Sequence, residues 1–347
     1  MAGCGSSGSS EGQDLSGSGD SVSVDVGLSS PIKVSGEPNI AVLVPGLSTP
    51  YGAAVVEAVK ARGAKYGFEV TAFDGKFDAQ TQVQQVQNAI TQKKFNAMII
   101  VPQVSALLCK PLTQDAPAAN IVVVTVDTPV CDAGETSDMS KVAVPGVLAQ
   151  VGDSGTTGAF IAGMKTALTK YPDNKNVLLI TPPTGTSNHT QTVDAFDEAL
   201  KPAGYKVVAE TVTADYSTAS GLKGTQDALQ AHPEINLILG PYAPVSYGAS
   251  LATKAAGRED IPIIDSAVGD KLSMQWIQEG KIDAGVTDFP QLMASGAVDA
   301  LKDAFEGKDV PRVITTAEGE GPKPETKEGT FVIVTPDNVE QWMKYSY

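Results

Sequence analysis

The residues able to do chemistry are few, and they stand at the ends of apolar runs. Asp127 directly follows the β-branched run 121–126, so its carboxylate leaves a buried strand where a parallel sheet presents ligands. The loop 47–52 follows the apolar run 39–44 and offers the Thr49 hydroxyl and the Tyr51 ring. Asp265 also closes an apolar run, 261–264, where capping the next helix is a competing use. These groups suit recognition of a small polar molecule, with carboxylates for hydroxyls or a cation and rings for apolar faces.

Catalytic patterns are missing. The chain has two histidines, His189 and His232, with no Gly-x-Ser-x-Gly elbow and no metal-ligand spacing. Asp153-Ser154-Gly155-Thr156-Thr157-Gly158 resembles a phosphate cradle but lacks the lysine of a P-loop, and it reads as a helix cap. Neither enzymatic activity, a cofactor nor a metal is expected. A net charge of −15 over 347 residues repels phosphate backbones and argues against nucleic acid. With only three arginines, Arg62, Arg258 and Arg312, bidentate clamping of an anion is poorly served.

Of the three cysteines, Cys109 and Cys131 fall in the folded part. Their spacing is compatible with a disulfide in an oxidising compartment and equally with two buried thiols. Cys4 lies in a Gly/Ser-rich segment, and Ala2-Gly3-Cys4 resembles the end of a bacterial lipobox, where the cysteine becomes lipidated. Residues 1–38 then read as a flexible tether, with an accidental cysteine as the alternative.

The elements that position these groups alternate. Strands are expected at 40–44, 68–73, 97–101 and 121–126, with helices at 53–66, 78–93 and 105–119 between them. After an irregular stretch, 131–150, a second series follows. Its helices are 153–171, 188–203, 217–230, 247–256, 271–279 and 290–305, and its strands 176–180, 207–212, 237–239, 261–264, 281–287 and 330–334. The Val/Ile runs are those of strands buried on both faces. The fold class is therefore α/β, with two similar Rossmann-like parallel-sheet lobes. No apolar run reaches the roughly 18–20 residues of a membrane span.

Segments 39–52, 73–101, 125–128, 151–164, 240–250 and 280–290, with the closing Val334-Thr335-Pro336-Asp337-Asn338-Val339, follow one another in a familiar order and spacing. From Asn39 onward the chain resembles the type I periplasmic sugar-binding proteins of ABC importers, the ribose/galactose-binding group. The resemblance implies two lobes joined by a three-segment hinge, at 151–153, 288–291 and a Gly/Pro/Glu-rich stretch before Thr330. The N-terminal lobe would be 39–151 plus 290–320, and the C-terminal lobe 152–289 plus 321–347. It also implies closure around one sugar or polyol and delivery to a membrane permease. The protein would be an extracytoplasmic monomer that meets the bacterial membrane only through a lipid on Cys4.

The family's pocket carries over with departures. Its first loop becomes Thr49-Pro50-Tyr51, with Gly52 leaving room where a second ring often sits. Asp127 matches the first-lobe aspartate, but the arginine that usually follows is Thr128. Tyr216 keeps an aromatic, while the helix arginine falls at Thr192, near His189 and Gln191. Tyr242 replaces an asparagine, and the second carboxylate falls near 266–268, one or two positions from Asp265. The hinge amide is Asp288, followed by Phe289. Rings and carboxylates are thus kept and arginines lost, which disfavours an anionic ligand. The alternatives are a receptor for a cationic or neutral non-sugar molecule feeding a membrane sensor, and the core of a LacI-type regulator, which would need a helix-turn-helix before Asn39.

Overall fold

The structure is a computed structural model that describes residues 21–136, 138–152, 155–314 and 331–347. In chain order its strands are β1 (Val22–Val24), β2 (Ile32–Val34), β3 (Asn39–Val44), β4 (Glu69–Asp74), β5 (Ala97–Ile100), β6 (Val122–Val126) and β7 (Ala149–Val151). Then come β8 (Asn176–Thr181), β9 (Lys206–Val212), β10 (Leu237–Gly240), β11 (Ile263–Val268), β12 (Ala284–Thr287), β13 (Val313–Ile314) and β14 (Val332–Val334). Two six-stranded sheets result, ordered β13-β7-β6-β5-β3-β4 and β14-β12-β11-β10-β8-β9. All pairings in them are parallel except β12 with β14. Residues 122–126 and 97–100 are fully enclosed, as expected of strands with helices on both faces.

Helix boundaries follow local chemistry. The Thr49 hydroxyl caps helix Pro50–Tyr66 by accepting from the Gly52 N–H at 3.2 Å, and Gly67 ends the helix at φ 78°. Asp78 caps Ala79–Thr91 in the same way. The helix expected over 105–119 is broken into Ser105–Lys110, a π-turn Pro111–Asp115 and Ala116–Ala118, because Pro111 and Pro117 have no N–H to give the ladder. Residues 131–150, expected to be irregular, contribute β7, and a last helix at Val339–Met343 was not anticipated.

The tether expected over 1–38 needs correction. Residues 1–20, including the candidate lipidation site Cys4, lie outside the described residues. Residues 22–34 form the antiparallel hairpin β1–β2, and Val24, Val26, Ile32 and Val34 join the core beside Val298, Leu301 and Ala304. The Gly and Ser content masked a period-two apolar pattern, Val22, Val24, Val26, that suits a half-buried strand. Gly146 N–H donates to the Val26 carbonyl at 2.8 Å and fastens the hairpin.

The structure joins Cys109 to Cys131, Cα atoms 4.5 Å apart. The bridge ties helix Ser105–Lys110 to the segment following Asp127. The chain leaves the first sheet after β7 and re-enters that lobe with helix Pro290–Phe305, which packs on Pro50–Tyr66. β13 then joins the first sheet and β14 the second, so the third crossing falls between 314 and 332, mostly outside the described residues.

Candidate functional site

The carboxyl ends of both sheets face a cavity of about 120 Å³. Thr49, Tyr51, Phe77, Gln103, Asp127 and Thr128 line it from one lobe. Asn188, Tyr216, Tyr242, Ala267 and Asp288 close it from the other lobe and the hinge. The volume is below the usual ~300–1,000 Å³ of ligand pockets, which describes lobes already drawn together. Phe77 meets Tyr216 across the cleft, ring centres 5.8 Å apart, and the Ser105 N–H donates to Ser187 Oγ at 3.1 Å.

Asp127 adopts φ 64°, a left-handed conformation uncommon for a side-chain-bearing residue. Its N–H donates to the Val151 carbonyl at 2.8 Å, Gln150 Nε2 donates to its carbonyl at 3.0 Å, and Thr128 Oγ1 donates to its carboxylate at 3.2 Å, bonds that help to hold it. Thr128, at the position where the resemblance expects an arginine, therefore serves Asp127. Asp288, on the hinge after β12, is buried and accepts from the Tyr347 hydroxyl at 3.1 Å. Burial pushes its carboxyl well above the carboxylate range; the Asp127 charge adds to this and the Tyr347 bond opposes it.

The tyrosines differ in what satisfies them. Tyr51 and Tyr242 hydroxyls are buried without a hydrogen-bond partner. Burial, then the charges of Asp127 and Asp288, push the Tyr51 hydroxyl up. Burial, followed by Asp270 and Asp288, does the same for Tyr242. Burial pushes Tyr216 up to about 12, against a hydrogen bond with Thr186. Tyr216 and Tyr242 stand edge to face at 5.9 Å, as do Tyr51 and Tyr347 at 6.4 Å.

Thr49, Tyr51, Asp127, Thr128, Tyr216, Tyr242 and Asp288 are thus brought together; four other candidates are not. Asp265 is fully buried behind the wall, where it accepts from Ser246 Oγ and from the Ala267 N–H. Thr192 Oγ1 donates to the Asn188 carbonyl of its own helix at 2.7 Å. His189 Nδ1 lies 3.1 Å from the Pro182 carbonyl, and its neighbour Asn188 reaches the cavity instead. Phe289 packs among Trp342 and Tyr345. Gly52 lines the cavity through its backbone, but the Gly46 carbonyl occupies the space a Cβ would take, so no side chain fits there.

Sequence reasoning missed Phe77, Gln103, Asn188 and Tyr347. Phe77 and Gln103 follow β4 and β5, so the rule that singled out Asp127 applies to them too. Tyr347 has no local signal. It arrives through tertiary structure, with its N–H on the Gly269 carbonyl at 3.3 Å and its carbonyl accepting from the Lys271 N–H at 3.1 Å.

A wider groove of about 650 Å³ lies behind the hinge between helices Pro50–Tyr66 and Pro290–Phe305. Two of its charged residues engage each other, Arg62 bidentate on Asp299 at 2.8 and 2.7 Å, and the interlobe cavity, where groups from both lobes converge, is the better candidate. Among the described residues no group of three or more His, Cys, Asp or Glu could hold a metal, and no helix is long and apolar enough to cross a membrane.

Two parallel-sheet lobes meeting over a small polar and aromatic cavity define a cleft-type binding protein. Residues 40–309 match the family model of the periplasmic binding protein domain, and the chain belongs to that family. It is similar to the ribose import binding protein of Bacillus subtilis (strain 168), 25% identical over 278 residues, which span 80% of this chain and 84% of that one. Among solved structures it is similar to a glucose-galactose binding protein from Geobacillus stearothermophilus, with TM-score 0.71, 21% identity, and coverage of 87% of this chain and 99% of the other. A Bacillus halodurans C-125 ABC transporter solute binding protein with bound myo-inositol gives TM-score 0.71 at 20% identity, covering 90% and 99%.

Proposed function

We propose that this chain is the extracytoplasmic substrate-binding component of an ABC importer. It takes one sugar or polyol between its lobes and presents the closed form to a membrane permease. The carrying observation is the interlobe cavity itself, lined by carboxylates from both sides and by Tyr51 and Tyr242, whose hydroxyls are buried without a partner. An unpaired buried hydroxyl costs about 1–3 kcal/mol, which a polyol's hydroxyls would recover. The relatives named for ribose, glucose-galactose and myo-inositol support the ligand class. The lobe boundaries at the three crossings, a lipid on Cys4 and a monomeric state belong to the same proposal. So do ligand contacts by Tyr51, Asp127, Tyr216, Tyr242 and Asp288.

The test is calorimetry against a panel of sugars and polyols, repeated on Asp127→Ala. Binding by the parent chain and loss of at least a hundredfold in the variant are expected. Unchanged affinity in the variant would remove Asp127 from the site. A parent chain that binds nothing in the panel would overturn the ligand class.

A further inference from the structure

Among the described residues, three side-chain atoms are buried without a partner in residues that line the interlobe cavity: the Tyr51 and Tyr242 hydroxyls and Gln103 Oε1. The carboxylates of the cavity have donors of their own, Thr128 Oγ1 for Asp127 and the Tyr347 hydroxyl for Asp288. The three unpartnered atoms also differ among themselves. A phenol hydroxyl turns about its C–O bond and either donates or accepts, so a tyrosine suits almost any polar neighbour. An amide oxygen only accepts. Gln103 is therefore the member of the set that dictates the polarity of what it meets.

The chain around Gln103 is fixed on both sides. Just past the end of β5 the Val101 N–H donates to the Leu43 carbonyl at 3.0 Å, and Pro102 restricts the next φ. Gln82, fully buried on helix Ala79–Thr91, then clasps the turn. Its Nε2 donates to the Val101 carbonyl and its Oε1 accepts from the Gln103 N–H, both at 2.9 Å. Two residues further on, the Ser105 hydroxyl donates to the Pro129 carbonyl and accepts from the Asp132 N–H at 3.1 Å. A segment tied in this way has little freedom to carry the Gln103 amide toward another donor of the protein. Leaving a buried acceptor unpaired is costly, and at a ligand cavity the missing donor is one that the ligand brings. Gln103 also lines the wider mouth outside the cavity, a space of about 690 Å³, so a group bound to it stands near the entrance.

We infer that Gln103 is a specificity-determining residue of the cleft: its amide oxygen accepts from one hydroxyl of the bound sugar or polyol, and Gln82 is the positioning residue that holds it there. This rests on the sugar-or-polyol reading above and deepens it. The ligand needs a free hydroxyl at that place. Hydrogen, fluorine or a methyl ether there brings no donor, leaves the oxygen unpaired in a closed cleft, and is rejected.

Calorimetry on the full chain tests this with ribose, galactose, glucose and myo-inositol, each beside its monodeoxy and monodeoxyfluoro analogues. For a parent sugar that binds, one position is expected at which the deoxy and fluoro analogues both bind about tenfold or more weakly. Gln103→Met keeps the length of the side chain without the acceptor. In it the parent sugar should weaken to the level of those two analogues, while the penalties at other positions stay. Gln103→Ala removes the same acceptor and replaces it should the first variant fail to fold. Gln82→Met should shrink the same penalty and no other, a selectivity that a general loss of stability would not produce. Penalties left unchanged at every position by loss of the Gln103 acceptor would overturn the inference and leave the sugar-or-polyol reading standing. So would a fluoro analogue that binds as tightly as its parent at the Gln103-dependent position. A chain that binds none of these sugars or analogues would overturn the reading beneath it, and the inference with it.

Discussion

Asp127 and Asp265 both follow apolar runs, yet the protein uses them in opposite ways: Asp127 stands just past the end of β6, whereas Asp265 lies inside β11. Asp265 turns into the second lobe, where burial pushes its carboxyl up to about 7 against the Ser246 and Ala267 bonds that favour its charge. With a folded value above the unfolded one, the native state binds more protons between about pH 4 and pH 7, so this group's contribution to stability falls as pH rises through that window. Asp265→Asn keeps acceptors for Ser246 and Ala267 and removes the charge. It should raise the melting temperature at pH 8 and leave it nearly unchanged at pH 4, with a gain of at most about 4 kcal/mol. A larger gain at pH 4 than at pH 8 would contradict the sign. At Asp288 the Tyr347 hydroxyl favours the charged form, so Tyr347→Phe should move that carboxyl further up, as read by carbon-detected NMR titration.

Two elements that look dispensable hold the first lobe together. The hairpin β1–β2 covers the end of helix Pro290–Phe305, and Val24, Val34 and the adjoining Val26 are nearly as enclosed as the valines of the sheet. Val26→Ala should therefore cost about 2 kcal/mol in urea unfolding, whereas a side chain in a free tether would cost nothing. The Cys109–Cys131 bridge closes a loop with a sequence separation of 22. The chain-entropy argument assigns such a loop about 3 kcal/mol. The double serine variant should lose about that much in denaturant melts, and the parent protein should lose it on reduction. Three residues beyond Cys131 the Gly134 carbonyl accepts from the Thr157 N–H at 2.9 Å, so the segment that the bridge anchors reaches the first helix of the second lobe.

At the scale of the molecule, function is the relation between two lobes. Contacts between them near the cavity include the Phe77–Tyr216 rings and the Ser105–Ser187 bond. Contacts of that kind bias an open–closed equilibrium without locking it, and the ligand supplies the difference in affinity that shifts the population. Addition of a bound sugar or polyol should contract the radius of gyration in X-ray scattering. At a hundred times its dissociation constant it should also add about 2.7 kcal/mol to stability. Phe77→Ala should speed ligand release about tenfold with little change in melting temperature, measured by stopped-flow tyrosine fluorescence. An unchanged release rate would mean that the ring contact does not hold the closed state.

The chain's own residues determined a great deal without any coordinates. Val/Ile runs separated by stretches of helical spacing marked two α/β series, because strand burial and helix periodicity are decided by neighbours in sequence. The order of motifs then carried the family. Only the tertiary structure decided which strand-end groups face the ligand. Asp127 and Asp265 each follow an apolar run, but β6 ends before Asp127 while β11 continues through Asp265 to Val268, where Ser246 of a preceding helix meets the carboxylate. Gly52 looked like space until the Gly46 carbonyl filled it. Tyr347 supports the site from behind, through its bond to Asp288, because the segment around it folds back onto Gly269 and Lys271. Local patterns report how deeply a residue is buried; which distant groups share that burial is decided by how the two sheets and the hinge close on each other.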